Sequence, residues 1–438
     1  MRTLASDAGS FDGGPSRPPP PASVDSVAVL PNGLRLVHAP DPHSPTVTVS
    51  VWFRTGSRSQ AVPGSGTVHL LEHLMLTADA GHRCVSDAIE DLGGECAGGT
   101  AYECQYLLAR VPAEHAEQAV ALLAQAPLLP GLDGAEIEVD LERERAAVLN
   151  EIAERRRSTK LVLHDLVFAA RPVRPPLGPS PAGETRLVAA CTRDTLLAEH
   201  RERLSGTGIG VLVVGPVEPA RVCDWLAHSP LADLPARPDR SLAAPATAGQ
   251  PDRGADPTGA ARSSGPAGPI SALAGPAPAL GSADRIAGEV LARVLAGGSR
   301  ALADIELRQR RGLAYTVAAE AHPFTDCGTL LLWAPHAAER AAEMRAALRT
   351  FADRLPDQLT DDVVRRAGHW AALTFADLSS DQYSLSMFAG RLVLLTGAAR
   401  WCPQEDAAAA RGADPAEVRA VAAAFAAAAE TVTVGPDA

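Results

Sequence analysis

The sequence predicts an α+β protein: two homologous domains, each a sheet with helices packed on it, joined by a long Pro/Ala/Gly-rich linker. Three observations point there. Strand-like and helix-like stretches alternate in both halves of the 438-residue chain. Both halves end on a similar apolar strand, "GIGVLVVGPV" at 208–217 and "AETVTVGP" close to the last residue. Between them, from about Pro235 to Gly281, the chain is Pro, Ala, Gly and Ser with little apolar periodicity, the composition of a linker. The expected organisation is a disordered lead-in at 1–26, a first domain at 27–234, a linker at 235–282 and a second domain at 283–438.

Each element has its own local reason. "VAVLPNGLRLVHAP" places two short apolar runs around Pro31-Asn32-Gly33, a hairpin signal. Thr46 to Ser57 alternates and is rich in β-branched residues, so it reads as a strand. Gly66 to Leu76 contains no breaker and reads as a largely buried helix. Ala101 to Val111 returns to strand, and helices follow at about Glu114 to Gln125 and Ala135 to Arg157, the latter dense in Glu and Arg. In the second half a helix runs from Asp284 to Ser299 and stops at Gly297-Gly298. "LAYTVAAEAHPF" and "CGTLLLWAP" are strand-like, and three more helices are expected at Ala337–Leu355, Asp361–Leu378 and Asp381–Thr396.

Composition excludes several classes. The net charge of −12 leaves no basic stripe for nucleic acid. No apolar run approaches the ~18–20 residues of a membrane helix. The N-terminal stretch holds a run of prolines, Pro18 to Pro21, and no apolar segment of a secretory signal. Seven widely spaced cysteines without a CxxC pair argue against a disulfide framework and for the cytoplasm. Cys96 and Cys104 are expected to be small buried apolar residues and not catalytic thiols.

The chemistry concentrates in His69-Leu70-Leu71-Glu72-His73. On a helix, His69 and His73 sit one turn apart on one face, with Glu72 within about 100° of both. Two imidazoles so placed suit Zn²⁺, and a neighbouring carboxylate can take a proton from a water that zinc has made acidic. A third ligand must come from elsewhere. The later Glu/Arg-rich helix offers Glu144 and Glu151, seven residues apart and so on one face. Glu142 and Glu154 lie off that face and read as solvated partners of arginine. The remaining histidines, His82, His115, His164 and His200 among them, have no ligand-like spacing.

HxxEH is the inverted zinc signature. With it, the chain resembles the pitrilysin-type zinc metallopeptidases, in particular their short two-domain processing-peptidase-like members. "LPNGLRLV" and "VSVWFRTGSRSQ" are similar to that family's opening strands, and "GGECAGGTAYECQYLLARVP" to its Gly-Gly, Thr, Glu, Tyr strand. "LAGGSRALADIELRQRRGLAYTVAAE" resembles its second-domain glycine turn and Arg-x6-Tyr element. The family places a Glu ligand on a later helix with another Glu seven residues before it. Here Glu151 follows His73 by 78 residues and Glu144 precedes Glu151 by seven.

The resemblance implies a zinc endopeptidase whose first domain carries the metal on His69, His73 and Glu151. It implies Glu72 as general base, Glu144 close by as a tuning carboxylate, and Arg308 and Tyr315 on the substrate. In a chain of this length, Arg308 and Tyr315 would act on peptide at the zinc of another subunit, so a homodimer or a heterodimer with a related chain is expected, enclosing the substrate in a chamber. The rival is a non-catalytic scaffold or regulatory subunit of a peptidase heterodimer. The chain departs from the family pattern twice. Ala97-Gly98 stands where an Asn-Ala pair contacts the substrate backbone, and "ISALAGPAPAL" is a poor match for the strand that should open the second domain.

Overall fold

The computed structural model describes residues 23–77, 84–129, 136–170, 177–237, 261–262 and 268–435. The expected lead-in up to residue 22, His82 and most of the expected linker (238–260 and 263–267) lie outside the described residues. Twelve strands are described: β1 Val24–Val29, β2 Arg35–Pro40, β3 Thr46–Phe53, β4 Glu95–Thr100, β5 Gln105–Pro112, β6 Ile209–Gly215, β7 Ala261–Arg262, β8 Ile270–Ala277, β9 Ala318–Pro323, β10 Gly328–Pro335, β11 Arg400–Trp401 and β12 Glu430–Gly435. They form a seven-stranded sheet in the order β11-β1-β2-β6-β3-β5-β4 and a five-stranded sheet in the order β7-β12-β8-β10-β9.

The two sheets share a central pattern. β6-β3-β5-β4 in the first and β12-β8-β10-β9 in the second are antiparallel at every step. In each, a helix of eleven residues lies in the connection between the first pair of these strands in chain order, Thr67–Thr77 before β4 and Arg285–Leu295 before β9. The α+β class and the doubled architecture are therefore as expected.

β3 is buried along almost its whole length, because both faces of its sheet are covered. Val47, Val49, Val51 and Phe53 face Leu70, Leu74, Val120 and Leu123 from the first half's helices. Thr48, Ser50 and Trp52 face the segment 382–395 of the second half. There Thr48 donates to Gln382 at 3.0 Å, and the Trp52 indole N–H donates to Ser50 at 2.9 Å. This second face of the strand is covered by the other half, with Gln382 and Ser386 against Thr48 and Ser50 and an apolar cluster including Leu385, Ala389 and Leu392 around Trp52.

The sequence expectations fail at three places. Ala101 to Val111 is not one strand: β4 ends at Thr100, the chain turns, and β5 begins at Gln105. Order begins before Val27, since β1 starts at Val24. The third departure is larger. Ile270–Ala277 falls inside the stretch expected to be linker, yet β8 lies between β12 and β10 with most of its residues buried. Its small residues permit close packing. A Cβ on Gly275 would come within 2.6 Å of the Phe425 ring on the helix Pro415–Ala428. The composition that reads as linker is here the clearance for a helix.

The halves also interlock. β11, from the second half, pairs with β1. Arg58, its side chain only 4% exposed, pairs with Glu103 at 2.7 Å and with Asp326 across the domain boundary at 2.7 Å. Glu103 in turn accepts from the Thr325 backbone N–H at 2.8 Å, so this buried charge network is hydrogen-bonded on both sides.

Candidate metal and active site

The site lies where the helix Thr67–Thr77 meets the longer helix Glu136–Arg157. The first helix starts at Gly66, whose φ of +68° suits glycine and whose missing Cβ leaves room for Val188, 2.5 Å from where that atom would stand. Leu70, Leu71 and Leu74 anchor it in the core, and Leu141, Val148 and Ile152 anchor the longer helix in the same cluster. With both helices fixed, the polar residues between them have little freedom. His69 and Glu72 are buried, and His73 is half-buried.

The two imidazoles stand nearly perpendicular with ring centres 4.8 Å apart. The His69 Nδ1–H donates to the Ala182 carbonyl at 3.3 Å, and the His73 Nδ1–H donates to Glu144 at 3.0 Å. A carbonyl oxygen only accepts, so His69 Nδ1 carries a proton and Nε2 is the ring atom left toward the site. Both Nε2 atoms face Glu151, whose Oε2 lies 3.3 Å from His69 Nε2 and 3.7 Å from His73 Nε2. Ligands held tetrahedrally at ~2.0–2.1 Å from one zinc ion stand about 3.3–3.4 Å apart. The donor set and its spacing fit zinc.

Glu72 has a different setting. Its Oε2 is 4.0 Å from His69 Nε2, beyond that ligand spacing, and accepts from Thr100 at 3.2 Å. Gly98 on β4 makes room for it: a Cβ there would lie 2.3 Å from Glu72 Oε1. Burial pushes the Glu72 carboxyl above its ordinary range, which suits a group that takes up and returns a proton.

The other carboxylates are held as anions. Glu144 receives the His73 N–H, Thr77 and Arg143, which bring its pKa down to about 2. Bonds from His69 and then His73 hold Glu151 well below the usual carboxylate range. Burial opposes a charge on His73, but the bonds to Glu144 and Glu151 win and push its pKa up to about 10. The cluster thus attracts positive charge, and a divalent cation would displace the proton that His73 otherwise holds.

The structure brings His69, Glu72, His73, Glu144 and Glu151 together from two segments. Glu142 and Glu154 pair with Arg145 and with Arg157, as solvated helix carboxylates do. Arg308 and Tyr315 stand elsewhere. Both are exposed, Tyr315 at 83%, and the guanidinium sits 4.8 Å from the tyrosine ring centre. Among the described residues, no hydrogen bond, ion pair or ring contact joins either to the His–Glu cluster. Cys104 is buried and Cys96 partly so, and burial pushes both thiols up to about 12, leaving them protonated and unreactive.

Four partners escape the sequence reading: Thr77, Thr100, Arg143 and the Ala182 carbonyl. Thr77 follows His73 by four residues on the helix, and Arg143 adjoins Glu144, so helical spacing signals both. The Ala182 carbonyl carries no local signal, since it is 113 residues from His69.

Comparison with known proteins shows the family and the fold. Residues 35–178 match the family model described as Insulinase (Peptidase family M16), and residues 190–368 match the model described as Peptidase M16 inactive domain. An uncharacterized zinc protease of Mycobacterium leprae is 30% identical over 360 residues, covering 77% of this chain and 75% of that one. One of Streptomyces coelicolor is 29% identical over 356 residues, covering 77% and 73%. A probable mitochondrial-processing peptidase subunit beta of Arabidopsis thaliana is 29% identical over 201 residues, 45% of this chain and 37% of that protein. In fold, a protease from Helicobacter pylori superposes with a TM-score of 0.79 at 18% identity, covering 95% of this chain and 100% of that one.

Proposed function

The chain belongs to peptidase family M16, and from that premise we propose that it is a zinc-dependent endopeptidase that cleaves a peptide, such as a precursor or leader, inside a closed dimeric chamber. One observation carries the reading. Two imidazole Nε2 atoms face one Glu151 oxygen at 3.3 and 3.7 Å, near tetrahedral ligand spacing, with buried Glu72 alongside.

In this reading His69, His73 and Glu151 hold zinc. When bound, the ion polarises the scissile carbonyl and acidifies a water. Glu72 accepts a proton from the attacking water and returns it to the leaving amine, and its raised pKa suits both roles. Glu144 fixes the His73 ring through Nδ1 and makes its Nε2 more basic. The substrate adds to β4 as a strand. Among the described residues β4 is the edge of its sheet, paired only with β5, and Gly98 on it borders Glu72. No helix among the described residues is long and apolar enough to cross a membrane. Seven unpaired cysteines support a reducing compartment, and we assign the protein to the cytoplasm.

Glu72→Gln tests the chemistry. It is expected to keep the metal content of the wild-type chain while peptidase turnover falls by roughly 10²–10⁴-fold. Wild-type turnover removes Glu72 from the mechanism, and zinc loss makes it a ligand instead.

Arg308 and Tyr315 belong to the same proposal through a second subunit. Their exposure, with no contact to the cluster of their own chain, supports action in trans. Tyr315 would donate to the developing oxyanion and Arg308 would hold the substrate backbone. Mixing a Glu72→Gln chain with a Tyr315→Phe chain checks this. Mixed homodimers should regain one intact site and with it activity above either parent. Confirmed subunit exchange without recovery excludes the homodimeric version.

A further inference from the structure

A second His–Glu cluster lies outside the site described above. His164, on the helix Thr159–Ala169, meets Glu320 and His322 of β9. One Glu320 oxygen, Oε2, lies 3.4 Å from His164 Nε2 and 3.2 Å from His322 Nε2. Both ring nitrogens are buried, and neither makes a hydrogen bond. An ordinary ion-pair network would point an N–H along a carboxylate lone pair. Here two imidazole nitrogens face one oxygen without achieving that alignment, at the ~3.3–3.4 Å spacing that tetrahedral zinc ligands keep.

The surroundings hold this arrangement. The other Glu320 oxygen accepts from Lys160 at 2.7 Å and from the Trp333 indole N–H at 3.3 Å, which leaves Oε2 for another partner. Phe168 packs beside both rings, 5.7 Å from His164 and 5.0 Å from His322, whose own centres are 5.1 Å apart. The three donors come from different halves of the chain, helix Thr159–Ala169 from the first and β9 from the second. That helix follows the Glu144/Glu151 helix after Ser158, and Arg155 of the latter pairs with its Asp165 at 2.7 Å.

We propose that His164, Glu320 and His322 form a second binding site for a divalent transition-metal ion of the zinc class, and that the bound ion staples the two halves of the chain together. Imidazole and carboxylate donors in this number suit zinc, with water completing the fourth position. Lys160, the one lysine in the chain, acts against the ion through its charge and sets a limit on affinity.

Zinc chloride and cobalt(II) chloride are the probes, on the full-length chain. The His69→Ala/His73→Ala variant should still bind about one equivalent, read as metal content after desalting and as cobalt absorption bands in the visible. Adding His322→Ala should remove that equivalent, and His164→Ala should do so independently in case one variant folds poorly. In the same background zinc should raise Tm, and the rise should vanish with His164→Ala. Lys160→Gln should tighten binding by at least about tenfold. No metal bound by a double variant with native circular dichroism overturns the proposal, as does binding that survives both His164→Ala and His322→Ala. If the double variant does not fold, the wild-type chain decides: His322→Ala or His164→Ala must lower its metal content by one equivalent. That readout stands whether or not the His69 cluster itself binds metal.

Discussion

The first and second halves place a helix at the same point of the same antiparallel strand pattern, and only one of the two helices carries the histidines proposed to hold a metal. Thr67–Thr77 presents His69, Glu72 and His73 to a neighbouring helix that answers with Glu144 and Glu151. Its counterpart Arg285–Leu295 presents Arg285, Glu289 and Arg293. Arg285 pairs with Asp406 at 2.6 Å and Arg293 with Thr374 at 3.1 Å. The helix beside it, Asp361–Leu378, offers Ala371, Ala372 and Phe375 to the core and no glutamate. The edge strands differ too. β4 is thinned by Gly98 so that Glu72 can approach, whereas β9 carries Glu320 and His322 toward the other half. A shared fold therefore does not make a site. A handful of side chains and one missing Cβ do.

Three changes would erode this difference, and they should do so in a definite order. His73→Ala is the most severe, because it makes the first helix as ligand-poor as the second. Zinc bound at this site and peptidase activity should both fall to background, measured as metal content in a chain also carrying His322→Ala. Full occupancy there would overturn the ligand set. Glu144→Gln is milder. It keeps the ligands but weakens the acceptor that orients His73, and the expected loss is about 10–100-fold in zinc affinity, read by competition with a chelator. An unchanged affinity would reduce Glu144 to a structural partner of Thr77 and Arg143. Gly98→Ala should have the smallest effect. The added Cβ would stand 2.3 Å from Glu72 Oε1 and 3.0 Å from Leu76 Cδ1, so the flexible carboxylate must shift. Overpacking of this kind costs about 1–3 kcal/mol, and kcat should drop at least about fivefold with zinc retained. A variant with wild-type kcat would show that the base tolerates displacement.

Much of the first half is legible from the residues. The i, i+4 histidines fix which two imidazoles can share a face, and Leu70, Leu71 and Leu74 ensure that this helix is buried. The seven-residue spacing of Glu144 and Glu151 puts both on one face of the longer helix, and the structure brings that face to the histidines. Glu142 and Glu154 are read correctly as exposed for the same reason. The second half is less legible. β8 reads as linker because Ser, Ala, Gly and Pro give no apolar period, yet those small residues are what let Phe425 pack against the sheet.

The sequence by itself determined the α+β class, the doubled domain plan, the helix that carries His69, Glu72 and His73, and the helical face that carries Glu144 and Glu151. Each of these rests on contacts within a few turns of one helix or on alternation within one strand, where spacing alone sets direction. Only the tertiary structure decided that the Ala182 carbonyl orients His69, that Gly98 clears space for Glu72, that Arg58 ties Glu103 to Asp326, and that His164 meets Glu320 and His322. Those contacts join residues far apart in the chain. No local period encodes them, because they exist only once burial of the two cores has fixed the strands and helices against one another.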